Sequence, residues 1–171
     1  MDAWGVEREA LARHLAELVT RRLVDPLEIL LGGGGDLHAE VAARSRTWAA
    51  ELLGDDDRLA ASTAIRIVAA LYPGDAPFDP PARWWRTPLG QVVIRRAGHP
   101  SAQAVSYPVA GAMLGMTRQG VHDLVTRGKL ARHPDGGVTV DSVRARLDRA
   151  TSRARLDRAT SASNASTGAR P

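Results

Sequence analysis

Apolar residues recur at helical spacing through the first part of the chain. In three separate segments they return every three or four positions, which places them on one face of a helix. The three stripes are Leu11, Leu15, Leu18 and Val19; then Leu37, Val41, Trp48 and Leu52; and finally Ala60, Ala64, Val68 and Leu71. Because each stripe needs another surface to cover it and the connections are short, the pattern predicts a small helical bundle.

Local signals place the starts of these helices. Asp25 is an acidic N-cap candidate, Pro26 fits the first helical position and Glu28 follows three residues after the cap, so a new helix is predicted here. Asp36 is predicted to cap the next helix. The three carboxylates from Asp55 to Asp57 precede a further helix, and they favour an interaction with its N-terminal dipole over a metal site.

A proline-rich stretch follows the third stripe. The segment Y-P-G-D-A-P-F-D-P-P at residues 72–81 is typical of a linker or a rigid loop, so we place a domain boundary in it. Thr87 and Pro88 then predict the start of a short helix. Trp84 and Trp85 are expected to pack this helix against one of the two domains, since paired tryptophans beside prolines usually belong to a core or an interface.

The sign of the charge changes at the same point. Residues 1–80 hold 8 arginines against 14 acidic residues, and residues 81–171 hold 15 basic residues against 5 aspartates. The first half therefore carries −6 and the second +10, which together give the net charge of +4. A basic half indicates a phosphate-bearing partner, and an acidic half indicates a protein contact or simple solubility.

The basic half contains a pair of short helical patterns with a glycine turn between them. The small residue Gly111 permits a close helix crossing, and Gly115 permits the left-handed backbone of a sharp turn. Thr117 is an N-cap candidate for the second helix. That helix has an apolar edge of Val121, Leu124 and Val125, and its other side carries Arg118, Gln119, His122, Asp123 and Thr126. The pattern predicts a helix anchored on one side and polar on the other.

The residues after this helix add a hairpin and a last helix. Residues 128–130, G-K-L, end the second helix. Residues 131–140 read as two short strands around the turn signal Asp135-Gly136. Asp141 is predicted to cap a helix with Val143 and Leu147 facing inward. The predicted order is helix, turn, helix, hairpin, helix.

This order, together with T-R-Q-G-V at residues 117–121 and R-G-K-L at residues 127–130, resembles the winged helix-turn-helix of the MerR and phage excisionase superfamily. The resemblance covers residues 106–147, about a quarter of the chain. Three residues depart from the family pattern: Ala110 replaces an acidic residue, Pro108 occupies the usual Ser/Thr cap, and Gly120 weakens the second helix by up to about 1 kcal/mol.

The resemblance implies that the helix 117–127 enters the major groove of DNA and that the wing 131–140 contacts the backbone. It implies base contacts from Arg118, Gln119 and His122. It implies phosphate contacts from Arg127, Lys129, Arg132 and His133, and Thr117 and Thr126 complete the expected DNA-binding set. Asp123 would be repelled by DNA, so we expect it to brace Arg127 one turn later.

The expected fold class is mainly α, with an N-terminal helical bundle followed by a winged helix-turn-helix that has a small two-stranded β-wing. The expected domains are an acidic helical bundle at 1–72, a Pro-rich linker at 73–86, the DNA-binding domain at 87–150 and a basic Ser/Ala-rich tail at 151–171. The tail contains a repeat, because R-A-R-L-D-R-A-T-S occupies 144–152 and again 153–161. Nine residues turn a helix by about 900°, so the second copy cannot extend the buried face of the first, and the tail is predicted to be disordered.

These features favour a sequence-specific DNA-binding protein, a bacterial transcriptional regulator. Its expected partners are double-stranded DNA and, through the N-terminal bundle, a second copy or another protein. One alternative is a phage-type excisionase, an architectural factor that bends DNA. The other is an adaptor that binds proteins with its helix-turn-helix surface.

Other functions lack the residues they need. The sequence offers no nucleophile beside a base, no metal-ligand set and no cofactor loop, so we expect no enzyme, no cofactor and no metal. His14, His38 and His99 have no second ligand at a useful spacing. The chain has no cysteine and no apolar run of membrane length, which favours a cytoplasmic, nucleoid-associated protein without a membrane partner.

Overall fold

The three apolar stripes form helices in a computed structural model of the chain. The structure describes residues 3–33 and 36–167, with side chains for 5–33 and 36–153. It divides into two compact units, unit 1 at Met1–Ala102 and unit 2 at Gln103–Pro171. The fold is mainly helical with one small two-stranded antiparallel sheet, which confirms the coarse fold class expected from the sequence.

Unit 1 contains five α-helices among its described residues. They are α1 (Ala3–Val19), α2 (Asp25–Leu31), α3 (Leu37–Leu53), α4 (Asp57–Leu71) and α5 (Pro88–Arg96). Helix α1 packs on α3 and α5, and α4 packs on α3 and α5. Leu15, Leu52 and Leu89 are fully buried where these helices meet. The predicted bundle therefore forms, with α5 as an additional member.

Helix α2 begins at Asp25, but the predicted N-cap role of Asp25 is wrong. The chain stays helical from α1 through a π-helical turn at Thr20–Val24 into α2, and Val24, not Asp25, occupies the position before α2 with helical backbone angles. Proline lacks an N–H and its ring crowds the carbonyl four residues earlier. A π-turn widens the helix just before Pro26, so the helix can continue past the proline.

One of the three aspartates, Asp56, interacts with the start of α4 as expected. The Asp56 carboxylate accepts hydrogen bonds from the backbone N–H groups of Arg58 and Leu59, each at 3.0 Å. Asp57 pairs with the guanidinium of Arg96 on α5. The N-terminal interaction is therefore confirmed for Asp56, and Asp57 ties α4 to α5.

An aromatic cluster joins the proline-rich loop to α5. Trp84 and Trp85 lie in a 3-10 turn at Trp84–Arg86 and are 8% and 0% exposed, as their expected packing role requires. The indole N–H of Trp84 donates to the Tyr72 hydroxyl at 2.7 Å. The Phe78 ring stacks edge-on against Tyr72 and Trp84. The loop is thus anchored to unit 1 by its own side chains.

Two histidines of unit 1 are held partly inside the protein. Burial lowers the pKa of His14 and of His99 below the ordinary histidine value, and a nearby acid, Glu17 or Asp79 respectively, opposes the shift. His99 Nδ1 accepts hydrogen bonds from the N–H groups of Ser101, at 3.3 Å, and Ala102, at 3.0 Å. These hydrogen bonds need an Nδ1 without a proton, so the turn favours the neutral form of the His99 ring.

The division between the units differs from the predicted linker at 73–86. Helix α5, which we expected in the DNA-binding domain, belongs to unit 1 because its apolar residues Leu89, Val93 and Ile94 are fully buried there. The boundary lies between Ala102 and Gln103. The change of charge sign does not mark it, since apolar burial and not surface charge decides which helices pack together.

Unit 2 combines short helices with the sheet. Its described elements are β1 (Ala104–Val105), α6 (Tyr107–Leu114), α7 (Arg118–Thr126), β2 (Val138–Thr139) and α8 (Val140–Thr167). Strands β1 and β2 are antiparallel, with Ala104 opposite Thr139 and Val105 opposite Val138. The core is formed by Val105, Ala110, Met113, Val121, Leu130, Val138 and Val143.

The predicted pair of wing strands is only partly present. The hairpin backbone closes as expected, since the His133 and Thr139 N–H groups donate to the carbonyls of Gly137 and Ala131. However, its first arm contributes a single bridge, Arg132 to Val138, and β2 forms its ladder with β1 instead. The two-residue strand β1 carries no alternation that could predict it.

Helix α8 differs from the prediction at both ends. It begins one residue before Asp141, and the cap is Thr139, whose side-chain hydroxyl accepts from the Ser142 N–H at 3.3 Å. At the other end the helix continues through the predicted disordered tail to Thr167, and residues 168–171 lie outside the described chain. Alanine, arginine and leucine in the repeat are strong helix formers, which accounts for this extension.

Among the described helices, none combines the length and the apolar character needed to cross a bilayer.

Candidate nucleic-acid interface

The turn between α6 and α7 is set by two glycines. Gly115 has φ 67° and ends α6, and its N–H donates back to the Ala112 carbonyl while the Met116 N–H donates to the Gly111 carbonyl. This left-handed helix end suits glycine because it has no Cβ. At Gly111 a Cβ would lie 2.8 Å from the Met116 carbonyl oxygen, so only glycine permits this close approach. Gly115 therefore has its predicted role, and Gly111 permits a close approach, although the approaching backbone belongs to the turn and not to the second helix.

Helix α7 is fixed at both ends and on one side. At its start, the Thr117 hydroxyl accepts from the Gly120 N–H at 3.1 Å, so Thr117 is the predicted N-cap. At its end, the Lys129 N–H donates to the Leu124 carbonyl at 2.7 Å. Val121 is fully buried, and Leu124 and Val125 are half-buried beside it. The apolar edge thus holds α7 against the core of unit 2.

The other side of α7 is open to solvent. Eight of the nine predicted site residues are exposed, namely Thr117, Arg118, Gln119, His122, Thr126, Arg127, Lys129 and Arg132. The ninth, His133, is half-buried. The structure brings the first seven of the eight onto α7 and its two ends, and it places Arg132 and His133 on the hairpin. This set of residues is called the α7 surface below.

The predicted role of Asp123 is wrong. Asp123 accepts a hydrogen bond from the side-chain amide of Gln119 at 3.0 Å. Within the described residues it forms no ion pair with Arg127, the partner we expected. An amide nitrogen has two hydrogens, so the bond to Asp123 uses one and leaves the other hydrogen and the amide oxygen of Gln119 for an external partner. Asp123 therefore orients the side chain predicted to read a base.

Two further α7 residues have contacts within the protein that limit how they can interact with DNA. The Thr126 hydroxyl donates to the His122 carbonyl at 3.0 Å, so while this bond holds it can only accept. Its hydroxyl is therefore not available as a donor to DNA while this bond is formed. The His122 ring lies edge-on to Tyr107, with 6.2 Å between ring centroids. Tyr107, a half-buried residue in the first turn of α6, was not among the predicted site residues.

The hairpin presents a histidine in a defined orientation. His133 Nδ1 accepts from the Asp135 N–H at 3.2 Å, and the Asp135 carboxylate lies 3.7 Å from the same nitrogen. The opposite nitrogen, Nε2, is then the one that carries a proton in the neutral ring. It can donate to an anion outside the hairpin.

The charged side chains of the α7 surface are positive. In the described part of the chain, Arg118, Arg127, Lys129 and Arg132 form no ion pair with an acidic side chain, while arginines of unit 1 such as Arg44, Arg66 and Arg96 do. Exposed cations without a counter-charge attract anions strongly. The arrangement can bind a phosphate-bearing polymer.

Unit 1 contains a cluster of possible metal ligands. Asp25, Glu28 and His38 of unit 1 bring one ligand atom each to within 4.8 Å of one another, so the expectation that His38 has no partner is wrong. His38 Nδ1 lies 3.3 Å from the Glu28 carboxylate. Asp25 and Glu28 lie on α2 and His38 lies on α3, so the contact depends on how the two helices pack and residue spacing could not reveal it.

In comparisons with known proteins, no family model, no curated protein and no solved structure matches this chain.

Proposed function

We propose that the chain is a sequence-specific DNA-binding protein that regulates transcription in bacteria. In this proposal, unit 2 is a winged helix-turn-helix of the MerR and excisionase type. Helix α7 enters the major groove, and the hairpin 131–140 contacts the DNA backbone. Pairing of two copies through unit 1 then increases the contact area, because one small module contacts too little DNA to bind tightly.

The main support for this proposal is the contrast between the two sides of α7. Val121 is fully buried, while the polar side chains opposite it are exposed and the four cations around them have no acidic partner in the described residues. A helix about 10–12 Å wide fits the major groove, which is about 12 Å wide. Buried anchoring on one side supports rigid presentation of the other.

The side chains fit different parts of the proposed contact. Arg118 can bond to guanine O6 and N7, and the oriented Gln119 amide can bond to adenine N6 and N7. Arg127, Lys129, Arg132 and His133 supply donors for phosphates. The Asp123 carboxylate, held by Gln119, accepts only from the amino group of cytosine or adenine and repels phosphate.

Selection of bound duplexes from a random DNA library tests the proposal. The full chain is expected to enrich one short sequence, and Arg118→Ala and Gln119→Ala are each expected to cost roughly 1–3 kcal/mol of discrimination at one base position. Arg46→Ala, an exposed arginine of α3, is the matched control and should leave the selected sequence unchanged. Retention of full discrimination by both α7 variants would exclude the groove assignment.

The selection, together with gel mobility and the salt dependence of binding, separates the two alternative functions. An architectural DNA-bending factor would bind duplexes with salt-dependent affinity and distort them, which bend-sensitive gel mobility measures. An adaptor would select no duplex and show no salt-dependent affinity for DNA. The unpaired cations of the α7 surface favour DNA over the adaptor.

A further inference from the structure

Five of the eight exposed large apolar residues in the described chain lie on α2 and the turn before it. Leu27, Ile29, Leu30 and Leu31 are 46%, 82%, 79% and 71% exposed, and Leu23 in the preceding π-turn is 36% exposed. No residue of α2 is buried. Monomeric proteins rarely leave contiguous aliphatic side chains open to water in this way. Leu23, Leu27 and Leu30 are spaced four and three residues apart, so they form a stripe along the helix.

A groove that combines arginine side chains with aromatic rings adjoins this stripe at Leu23. It has a volume of about 1130 Å³ and is lined by the arginines Arg21, Arg22 and Arg83 and by the aromatic residues Tyr72, Phe78 and Trp84. Leu23 lines the groove and also begins the apolar stripe, so the two features are continuous. We call the α2 stripe and this groove together the α2–groove surface.

The groove keeps its positive charge. The guanidinium of Arg22 stacks on the Tyr72 ring, 4.2 Å from the centroid, and donates to the Leu71 carbonyl at 3.1 Å, which fixes it in place. Arg21 and Arg83 are exposed and form no ion pair within the described chain, and Asp79 is the acidic residue of the lining. By contrast, α2 carries the two acidic residues Asp25 and Glu28 in its first turn.

We propose that this surface binds a second copy of the chain. In a two-fold pairing each contact occurs twice, so α2 of one copy can cover the groove of its partner while its own groove receives the partner's α2. The aliphatic side chains of α2 then meet the aromatic lining. Asp25 and Glu28 meet a groove whose arginines outnumber its acids.

The size of the surface also fits a second copy. A stable protein interface involves roughly 20–30 residues on each side. The helix α2 and the residues around the groove together supply about that number. The choice of a second copy as the occupant rests on the proposed function, because a DNA-binding module of this size is expected to act as a dimer.

Sedimentation velocity of the full chain without DNA tests the proposal. We expect the wild type to be dimeric at micromolar concentration and Leu30→Glu to raise the dissociation constant at least tenfold. Ile65→Glu is the matched control, since Ile65 is an exposed aliphatic residue of α4, 53% exposed and outside this surface, and it should remain dimeric. A monomeric wild type, or equal dimerisation of both variants, overturns the proposal.

A charge-reversal experiment tests the proposal in a second way. It does not rely on the correct folding of Leu30→Glu. The groove variant carries Arg21→Glu and Arg83→Glu, and the helix variant carries Asp25→Lys and Glu28→Lys. Each is expected to be monomeric alone, and an equimolar mixture should recover dimers because both contacts are then complementary. Failure of the mixture to pair, when each variant shows native helical circular dichroism, overturns the charge pairing.

The two proposals fail in distinguishable ways. A monomer that still binds duplex DNA with salt-dependent affinity overturns the dimer surface and leaves the proposed function standing. A dimer that has no affinity for duplex DNA overturns the proposed function and leaves the dimer surface standing. A wild-type monomer that binds another protein through α2 also counts against a second copy as the occupant.

Discussion

Gln119 donates its side-chain amide to the carboxylate of Asp123 at 3.0 Å, one turn later on the exposed side of α7. The pair places an oriented amide and a negative charge on the surface that we propose faces DNA. A carboxylate there weakens phosphate binding, and its hydrogen bond reduces the freedom of the glutamine. The pair therefore lowers the affinity for DNA phosphates and fixes the orientation of Gln119.

Removal of the carboxylate tests this relationship. Asp123→Ala is expected to strengthen binding to random duplex DNA by about 1 kcal/mol, since one charge in water interacts with another at 4 Å by about that amount. It is also expected to broaden the preference at the base read by Gln119. Fluorescence anisotropy with selected and random duplexes measures both. Asp148→Ala, which removes an exposed charge from α8, is the control, and an equal effect of both substitutions would contradict the specific role of Asp123.

Two glycines of unit 2 are predicted to respond in opposite directions to the same change. Gly111→Ala brings a Cβ to 2.8 Å from the Met116 carbonyl oxygen, so it should lower the free energy of unfolding by about 1–3 kcal/mol. At Gly120 the nearest atoms, in the side chains of Met116 and Thr117, are 3.5 Å from a Cβ. Gly120→Ala should therefore stabilise α7 by up to about 1 kcal/mol.

Urea unfolding followed by circular dichroism measures both glycine variants under one condition. The sign of each change in the free energy of unfolding is the informative result, because both positions are helical and both substitutions add the same methyl group. Equal destabilisation by the two substitutions would mean that the close approach at Gly111 is not what sets the turn between α6 and α7.

The stability of unit 1 is predicted to fall in weak acid. Burial lowers the pKa of His99 and His14 in the folded state below the value of about 6.5 in the unfolded chain. Below about pH 6.5 the unfolded chain then binds more protons, so the free energy of unfolding decreases as the pH falls through this value. Thermal unfolding between pH 7.5 and 5.5 measures the effect.

A matched variant assigns part of this pH dependence to one residue. His99→Asn keeps an acceptor near the Ser101 and Ala102 N–H groups and removes the titrating ring. Its stability should depend less steeply on pH than that of the wild type. Identical slopes for the two proteins would show that His99 does not contribute.

Helical periodicity was sufficient to predict α1, α3 and α4. The predicted stripes of α1 and α4 are buried, whereas in α3 only Leu52 of the predicted stripe is buried, beside Ser45 and Ala49. Cap chemistry likewise predicted Thr87 before α5 and Thr117 before α7, and both hydroxyls accept the expected backbone hydrogen bonds. These features are local, so the residues that decide them are close together in the sequence.

The features that the sequence could not predict depend on packing or on competition between side chains. Pro26 indicates a helix start equally well whether the preceding residues form a loop or a π-turn. The affiliation of α5 with unit 1 depends on burial of Leu89 and Ile94 against other helices, and the partner of Asp123 depends on a choice between Gln119 and Arg127 that spacing alone leaves open. In each case tertiary packing or side-chain competition decides the outcome.

The salt dependence of DNA binding tests the central claim most directly. Each phosphate contact contributes a slope of about −0.9 to the logarithm of affinity against the logarithm of salt concentration, so the double variant Arg127→Gln, Lys129→Gln should reduce the slope by about 2. The matched control, Arg8→Gln with Arg46→Gln, removes two exposed arginines of unit 1 and should leave the slope unchanged. A wild type with no salt-dependent affinity for any duplex, or equal slopes for the wild type and the α7 double variant, would contradict the account.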